Sequence, residues 1–243
     1  MGKKILMING SARKKNTYNI LLQIAQILKS RGIESEILNI FDYSIKDCEG
    51  CDNICIRQGD CQIKDDMPAI MQKILESDGL ILGSPVYLSG VTSRFKAFVD
   101  RTNAWFHKPE PAGKPVFFVV TTASTGIRET LHFFDQFATG FGGRKGGFIA
   151  RQAKNLKIPI SEKDLSRFLS LLENDKKQYR PSMNEIVIFE VQKVLALKSE
   201  GDDRNFWQKK GWLDKLYYYD CRMSPAKKVF SKMMFRILSN AMK

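Results

Sequence analysis

The chain has 243 residues, 43% of them apolar and 27% charged, with 17 glycines, 8 prolines and a formal net charge of +13. That is the composition of a globular chain, long enough for one large domain or for one domain with an extension, and it excludes collagen-like and disordered classes. No apolar run approaches the ~18 residues that a membrane-spanning helix needs.

The 4–9 stretch, KILMIN, is a short apolar run closed by Gly10-Ser11. It reads as a buried strand followed by a turn. The start MGKKILMINGS is therefore expected to be a first strand and not a signal peptide. Asn16 or Thr17 can cap a helix with Ile20, Leu21, Ile24, Ile27 and Leu28 on its apolar face, and Gly32 stops it. Residues 33–40 form a second predicted strand.

Residues 47–61 read DCEGCDNICIRQGDC. Four of the five cysteines, Cys48, Cys51, Cys55 and Cys61, stand here with spacing C-x2-C-x3-C-x5-C. The polar residues and glycines between them predict a loop, not a strand or an amphipathic helix. Four thiols so close together can converge on one inorganic centre. Iron–sulfur ligation, zinc ligation and unligated thiols are the three readings. Such a cluster together with the absence of a leader favours the cytoplasm. Cys221 stands apart, near the C-terminus.

Asp65 or Asp66 opens a helix with Ile70, Ile74 and Leu75 on one face. Residues 79–82 form a third strand, ending in Gly83-Ser84-Pro85. A helix over 91–102 turns Phe95, Phe98 and Val99 inward. A fourth strand over 115–120 ends in Thr121-Thr122, a helix follows over 126–141, and 147–149 is a weak fifth strand. His107 and His132 have no partner at metal-binding or catalytic spacing and read as structural or surface residues.

Strands alternating with helices predict an α/β fold with a parallel sheet and right-handed crossovers. In such a sheet ligands bind beyond the carboxyl ends of the strands. Three loops there carry suitable chemistry. Residues 10–17, GSARKKNT, offer hydroxyls, backbone N–H groups, a helix N-terminus and Arg13, which suit a phosphate. This loop is neither G-x-G-x-x-G nor G-x-x-x-x-G-K-[ST], which argues against an ordinary dinucleotide fold and against a P-loop NTPase. Residues 84–90, SPVYLSG, present the flat face of Tyr87. Residues 121–126, TTASTG, are small enough for backbone N–H groups to approach a ligand. The cysteine loop follows the second strand and is expected at the same edge.

At MING-SARKKNT, the C-x2-C cluster, IKDDM (63–67), GSPVY (83–87) and FKAFVDRT (95–102), the chain resembles the flavodoxin-like NAD(P)H-dependent FMN reductases. With its four clustered cysteines it is most similar to their iron–sulfur flavoprotein members. The resemblance covers about residues 3–150. It implies a doubly wound five-stranded sheet of order 2-1-3-4-5, with FMN at the edge just described. It also implies a homo-dimer or homo-tetramer with flavin sites near subunit interfaces. By motif match, Ser11, Arg13, Asn16 and Thr17 hold the FMN phosphate, and Pro85, Val86, Tyr87 and Gly90 contact the isoalloxazine. Thr122 and Ser124 lie in the third loop, and Cys48, Cys51, Cys55 and Cys61 ligate a [4Fe–4S] cluster. The x3 middle gap is a departure, since the iron–sulfur members have x2. No side chain is assigned as a catalytic acid or base. NAD(P)H or a ferredoxin-like partner is the expected donor.

Residues 151–243 hold 20 Lys+Arg against 11 Asp+Glu, net +9 of the +13, and form a predicted helical, basic extension to the 1–150 domain. Ser182 and Glu185 make a capping box ahead of Ile186, Val187, Val191, Val194 and Leu195. The aromatic run Trp207, Trp212, Tyr217, Tyr218 and Tyr219 is expected to act as a lid or clamp over the 1–150 domain or a neighbouring subunit. Ser224 caps a last helix, with Pro225 in its first turn. Val229, Phe230, Met233, Met234, Ile237, Leu238, Ala241 and Met242 line one face of it, and Lys227, Lys228, Lys232, Arg236 and Lys243 lie around the other. Packing on its own fold or a sister chain is the expected use of this helix. An anionic membrane and an acidic redox partner are the alternatives. No nucleic-acid recognition module is visible. The function expected is an FMN-dependent oxidoreductase. Its rival is an electron carrier or redox sensor that docks an acidic protein, with the cysteine loop structural or zinc-binding.

Overall fold

The computed structural model describes residues 2–51, 54–58, 61–199 and 202–242. Asp52 and Asn53, which hold most of the enlarged middle cysteine gap, lie outside the described residues, as do Glu200, Gly201 and Lys243. Five strands, β1 (Lys4–Asn9), β2 (Glu34–Asn39), β3 (Gly79–Pro85), β4 (Pro115–Thr122) and β5 (Arg144–Gln152), pair in parallel in the order β2-β1-β3-β4-β5. This is the flavodoxin-like order expected. The strand order reverses beside β1, and that places a crevice beyond the carboxyl ends of β1 and β3.

The sheet is buried on both faces, as an all-parallel sheet must be. On one face α1 (Asn16–Ser30) presents Ile20, Leu21, Ile24 and Leu28 to Ile5, Met7, Ile81 and Phe117. Their three- and four-residue spacing is the apolar stripe read from the sequence. On the other face α3 (Met67–Glu76), α4 (Ser93–Asp100) and α6 (Ile127–Gly140) pack through Ile70, Phe95, Phe98 and Phe134 on Leu6, Leu80, Leu82 and Phe118. Each fully buried apolar side chain of this size contributes about 1.5–3 kcal/mol. Short helical segments α2 (Ile54–Gln58) and α5 (Ala104–His107) flank α4.

Three elements depart from expectation. The fifth strand runs Arg144–Gln152 rather than 147–149. Gly146, Gly147 and three cations hide it from an apolar-run reading, and Gly147 takes φ +108° where the pairing with β4 shifts register. The cysteine stretch is not all loop, because Ile54–Gln58 is helical. Lastly, α7 (Ser166–Glu173) puts Phe168, Leu169 and Leu172 into the same core as α1. The sheet's core therefore continues past residue 150.

The rest of the extension is helical, as expected. Ser182 and Glu185 form their capping box at the start of α8 (Met183–Lys198), and Ser224 caps α10 (Pro225–Ala241) by accepting from the Lys227 N–H. Between them lies α9 (Asp202–Lys209). The aromatic run does not close over the loops at the carboxyl ends of the strands. Trp207, Trp212, Tyr217 and Tyr218 stack around Phe189 of α8 and make a core of their own. That core rests on the opposite edge of the sheet. There Tyr218 abuts Gly142, Gln192 donates to the Gly140 carbonyl, and the Trp207 indole donates to the His107 carbonyl. Among the described residues no helix is long and apolar enough to cross a membrane.

Candidate functional site

The three loops singled out in the sequence meet at the carboxyl ends of β1, β3 and β4, and hydrogen bonds lock them together. Gly10 N–H donates to the Gly83 carbonyl at 2.7 Å, and Thr92 Oγ1 donates back to the Gly10 carbonyl at 2.8 Å. Val86 N–H donates to the Thr121 carbonyl at 2.7 Å, and the Thr17 and Thr121 hydroxyls pair at 2.7 Å. Asn9, fully buried, ties Ser11 to β2 through Asn39 Oδ1 at 2.8 Å. Gly126 has φ +85°, and a Cβ there would fall 2.5 Å from Val86 Cγ1. Only glycine lets the third loop sit so close to the second.

The first loop suits an anion. α1 begins at Asn16 with no side-chain cap and no acidic residue in its first turn, so neither expected cap is used. Its first N–H groups lack the partner that a cap supplies, and the exposed Arg13, Lys14 and Lys15 precede them. Ser11 is buried and its hydroxyl donates to the Arg13 carbonyl, which shapes the loop. Thr17 is buried with its hydroxyl committed to Thr121. In the second loop Tyr87 and Gly90 exchange backbone hydrogen bonds around Leu88 and Ser89, both at positive φ (47° and 62°). Each such non-glycine residue costs about 1–3 kcal/mol. The turn leaves Tyr87 half exposed and Leu88 fully exposed at its tip. In the third loop Thr122 Oγ1 donates to the Thr125 carbonyl, and the Ser124 carbonyl accepts from Gln152.

The thiols are elsewhere. α4 spans the separation. Its cap Thr92 touches Gly10, and beyond its other end Arg101 lines a cavity together with Cys55 and Cys61. Eight helical residues at 1.5 Å rise make about 12 Å. The expectation that the cysteine loop lies at the phosphate edge is thus corrected. The loop starts there, then runs down the flank of α4, held by Arg94 to the Ile45 carbonyl and Arg101 to the Lys46 carbonyl. α2 then packs on α5 and α9. Cys48 is exposed, whereas Cys51, Cys55 and Cys61 are half-buried. Burial pushes the Cys55 thiol up, and the neighbouring Cys61, Cys51 and Cys48 add to it. Cavities of about 480 Å³ and 210 Å³ flank the loop, the first beside Cys48 and Trp105, the second beside Cys55, Cys61 and Arg101.

The donor set fits an iron–sulfur cluster, whose ligands are thiolates. Arg101, which shares a cavity with Cys55 and Cys61, has its buried Nε without a partner among the described residues. Among the described residues, however, no three ligating side chains form a preformed cage. A metal centre would have to draw the loop closed. Cys221 takes no part. It sits by the aromatic core, where burial, with Asp220 adding, pushes its thiol up to about 11. His107 faces Asp203 across the α5–α9 contact and His132 is exposed, in keeping with the roles expected of them. Asn9, Thr92, Thr121 and Arg101 were not singled out from the sequence. The hints were that Asn9 is a polar residue closing an apolar strand, that Thr121 opens the third loop, and that Arg101 lies in the 95–102 motif.

The sequence matches the family model of NADPH-dependent FMN reductases over residues 3–151. The chain belongs to this family. The family is one of flavin-dependent oxidoreductases, the three-loop crevice lies within the matched residues, and the chain spans about half the length of several relatives it matches. An iron-sulfur flavoprotein of Archaeoglobus fulgidus is 30% identical over 232 residues, 86% of this chain and 100% of that relative. A second from the same organism is 43% identical over 99 residues, 41% of this chain and just 48% of that relative. An iron-sulfur flavoprotein of Clostridioides difficile is 29% identical over 76% of this chain and 85% of its own length. Among solved structures, RosB with a bound formylriboflavin phosphate intermediate superposes with a TM-score of 0.55 at 13% identity over 92% of each chain. A flavone reductase reaches 0.54 at 16% identity over 70% of this chain and 60% of that one. At these identities the likeness is one of fold.

Proposed function

We propose that this FMN reductase family member works as an iron–sulfur flavoprotein, moving electrons between FMN in the three-loop crevice and a [4Fe–4S] cluster on Cys48, Cys51, Cys55 and Cys61. The observation that carries the flavin half is the uncapped, basic N-terminus of α1 inside three mutually locked loops. Bound there, FMN supplies one- and two-electron chemistry and the cluster single-electron chemistry.

The chain's own part is binding and placement. The α1 N–H groups with Ser11, Arg13 and Asn16 hold the phosphate. Thr17 contributes through its backbone, because its hydroxyl is engaged by Thr121. Pro85, Val86, Tyr87 and Gly90 form the wall for the ring. Thr122 and Ser124 border it on a loop held by its own hydrogen bonds, the Ser124 N–H donating to Thr122 Oγ1. No side chain moves a proton in this scheme. NAD(P)H or a ferredoxin-like protein is the donor, and a homo-dimer or homo-tetramer is the working form. A simpler carrier role, docking an acidic partner, draws support from the lysines of α10 beside its exposed Val229, Met233 and Ile237. It predicts binding that weakens steeply with salt.

The deciding experiment is an anaerobic absorption spectrum of freshly purified protein, with iron, sulfide, zinc and flavin assayed on the same sample. FMN with about four irons per chain supports the proposal. FMN without iron, or with zinc, refutes the cluster. A chain that binds no FMN refutes both halves.

A further inference from the structure

Asp65 and Arg101 form an ion pair whose side chains are 0% and 1% exposed. Arg101 reaches Asp65 with both terminal nitrogens, a bidentate fork. Nearly every remaining polar atom of the pair is spent on the backbone that flanks the cysteine loop. Arg101 donates to the Lys46 carbonyl at 2.9 Å, before Cys48, and to the Ile63 carbonyl at 3.4 Å, after Cys61. Asp65 accepts from the Lys46 N–H at 2.9 Å and from the Met67 N–H at 3.0 Å. The two strands of chain entering and leaving the loop are thus joined through one buried pair. The guanidinium also lines a cavity that it shares with Cys55 and Cys61.

A buried ion pair is a poor device for stability alone, since apolar residues of the same volume often serve as well. Here it binds chain segments from both sides of a loop that has little apolar core of its own. It also places a permanent positive charge on the wall of a cavity that two of the thiols line. A thiolate-bound centre gains one negative charge when it takes one electron, with no bond made or broken, and a fixed cation beside it favours the reduced form.

We propose that the Arg101–Asp65 pair is the positioning clamp of the cysteine loop, closing its base and holding a fixed charge on the wall of the Cys55–Cys61 cavity that raises the reduction potential of the centre bound there. The second half rests on the cluster reading above, and the first does not.

The test uses the full-length chain and the variants Arg101→Gln, Arg101→Lys and the neutral pair Asp65→Asn/Arg101→Gln. The last keeps the shape without burying a lone carboxylate, in case Arg101→Gln fails to fold. Hydrogen–deuterium exchange of the metal-free protein reads the clamp. Peptides covering 44–51 and 61–67 should exchange at least about tenfold faster in the glutamine variants, while those of β1 and α1 keep their protection. Unchanged protection at 44–67 in a folded glutamine variant overturns the clamp. Redox titration of the iron-loaded protein reads the charge. The midpoint potential should fall in Arg101→Gln and be largely restored in Arg101→Lys, which a purely structural role would not produce. Equal potentials in all three overturn the tuning. A parent chain that takes up no iron refutes the cluster reading and the tuning with it, and the exchange result still decides the clamp.

Discussion

Replacing Gly10 by alanine should damage the fold and the flavin site together. A Cβ at this position would lie 2.5 Å from Phe95 Cδ2 and 2.9 Å from the Gly83 carbonyl oxygen. Neither neighbour can yield easily. Phe95 is fully buried, edge-on to Phe98 and Phe134 with ring centroids 5.5 and 5.2 Å away. Gly83 is held in β3 between β1 and β4. Overpacking of this kind costs about 1–3 kcal/mol. Stretching the 2.7 Å Gly10–Gly83 hydrogen bond adds about 1 kcal/mol. The sum, about 2–4 kcal/mol, corresponds to a Tm lower by about 4–16 °C for a chain of this size. The same displacement moves the backbone at Ser11, so flavin retained through gel filtration should fall. Thermal melts of the flavin-free protein and flavin content per chain measure the two effects separately. An alanine variant that melts within about 2 °C of the parent and keeps its FMN would refute the packing of the first loop on the second.

Three other outcomes are expected. Arg13→Ala, at an exposed site outside the core, should weaken FMN binding about tenfold or more with little change in Tm, as for loss of one charge-assisted phosphate contact; calorimetric titration with FMN checks it. Cys55→Ser should abolish the broad iron–sulfur absorbance and leave FMN bound, so a visible spectrum identical to the parent's counts against the cluster. Glu190 on α8 is fully buried, with Oε1 accepting from Ser231 of α10 and Oε2 unpartnered. Burial raises its pKa, while the Ser231 hydrogen bond and Lys193 oppose that. The folded chain therefore holds this proton more tightly than the unfolded chain does. Its contribution is most favourable below the ordinary carboxylate pKa of about 4.3 and is lost as pH rises through the folded value. Glu190→Gln should accordingly raise Tm more at about pH 8 than at about pH 4, and an equal shift at both would contradict the assignment.

What was readable in the chain was whatever local periodicity and turn chemistry specify. The apolar runs at 4–9, 79–82 and 115–120 each end in small or polar residues, so strands, loops and their alternation with helices could be read in order. The parallel α/β class then follows from chain connectivity and handedness. The capping signals at Ser182 and Ser224 are likewise local and appear as read. The fifth strand was partly hidden because two glycines and three cations break its apolar run, while pairing with β4 and cover from Phe168 stabilise it regardless.

The location of the thiols was not readable. Sequence places the cysteine loop after β2, but Arg94 of α4 and Arg101 just past its end, which bind the backbone leading into the loop, stand 49 and 55 residues further along. Hydrogen bonds of that separation leave no periodic trace, so only the folded chain shows the loop drawn down α4 and away from the phosphate edge. The aromatic run follows the same logic. Its density predicts a packed core and says nothing of which surface the core covers. The tertiary structure decides that through Gly142, where a bare backbone admits the Tyr218 ring at the far edge of the sheet. Composition and local pattern determined the elements, the parallel sheet and the basic character of the first loop. Long-range pairing between Asp65 and Arg101, Thr17 and Thr121, and Gly10 and Gly83 decided how those elements are assembled into two separate sites, because contacts between distant residues depend on packing geometry and not on spacing along the chain.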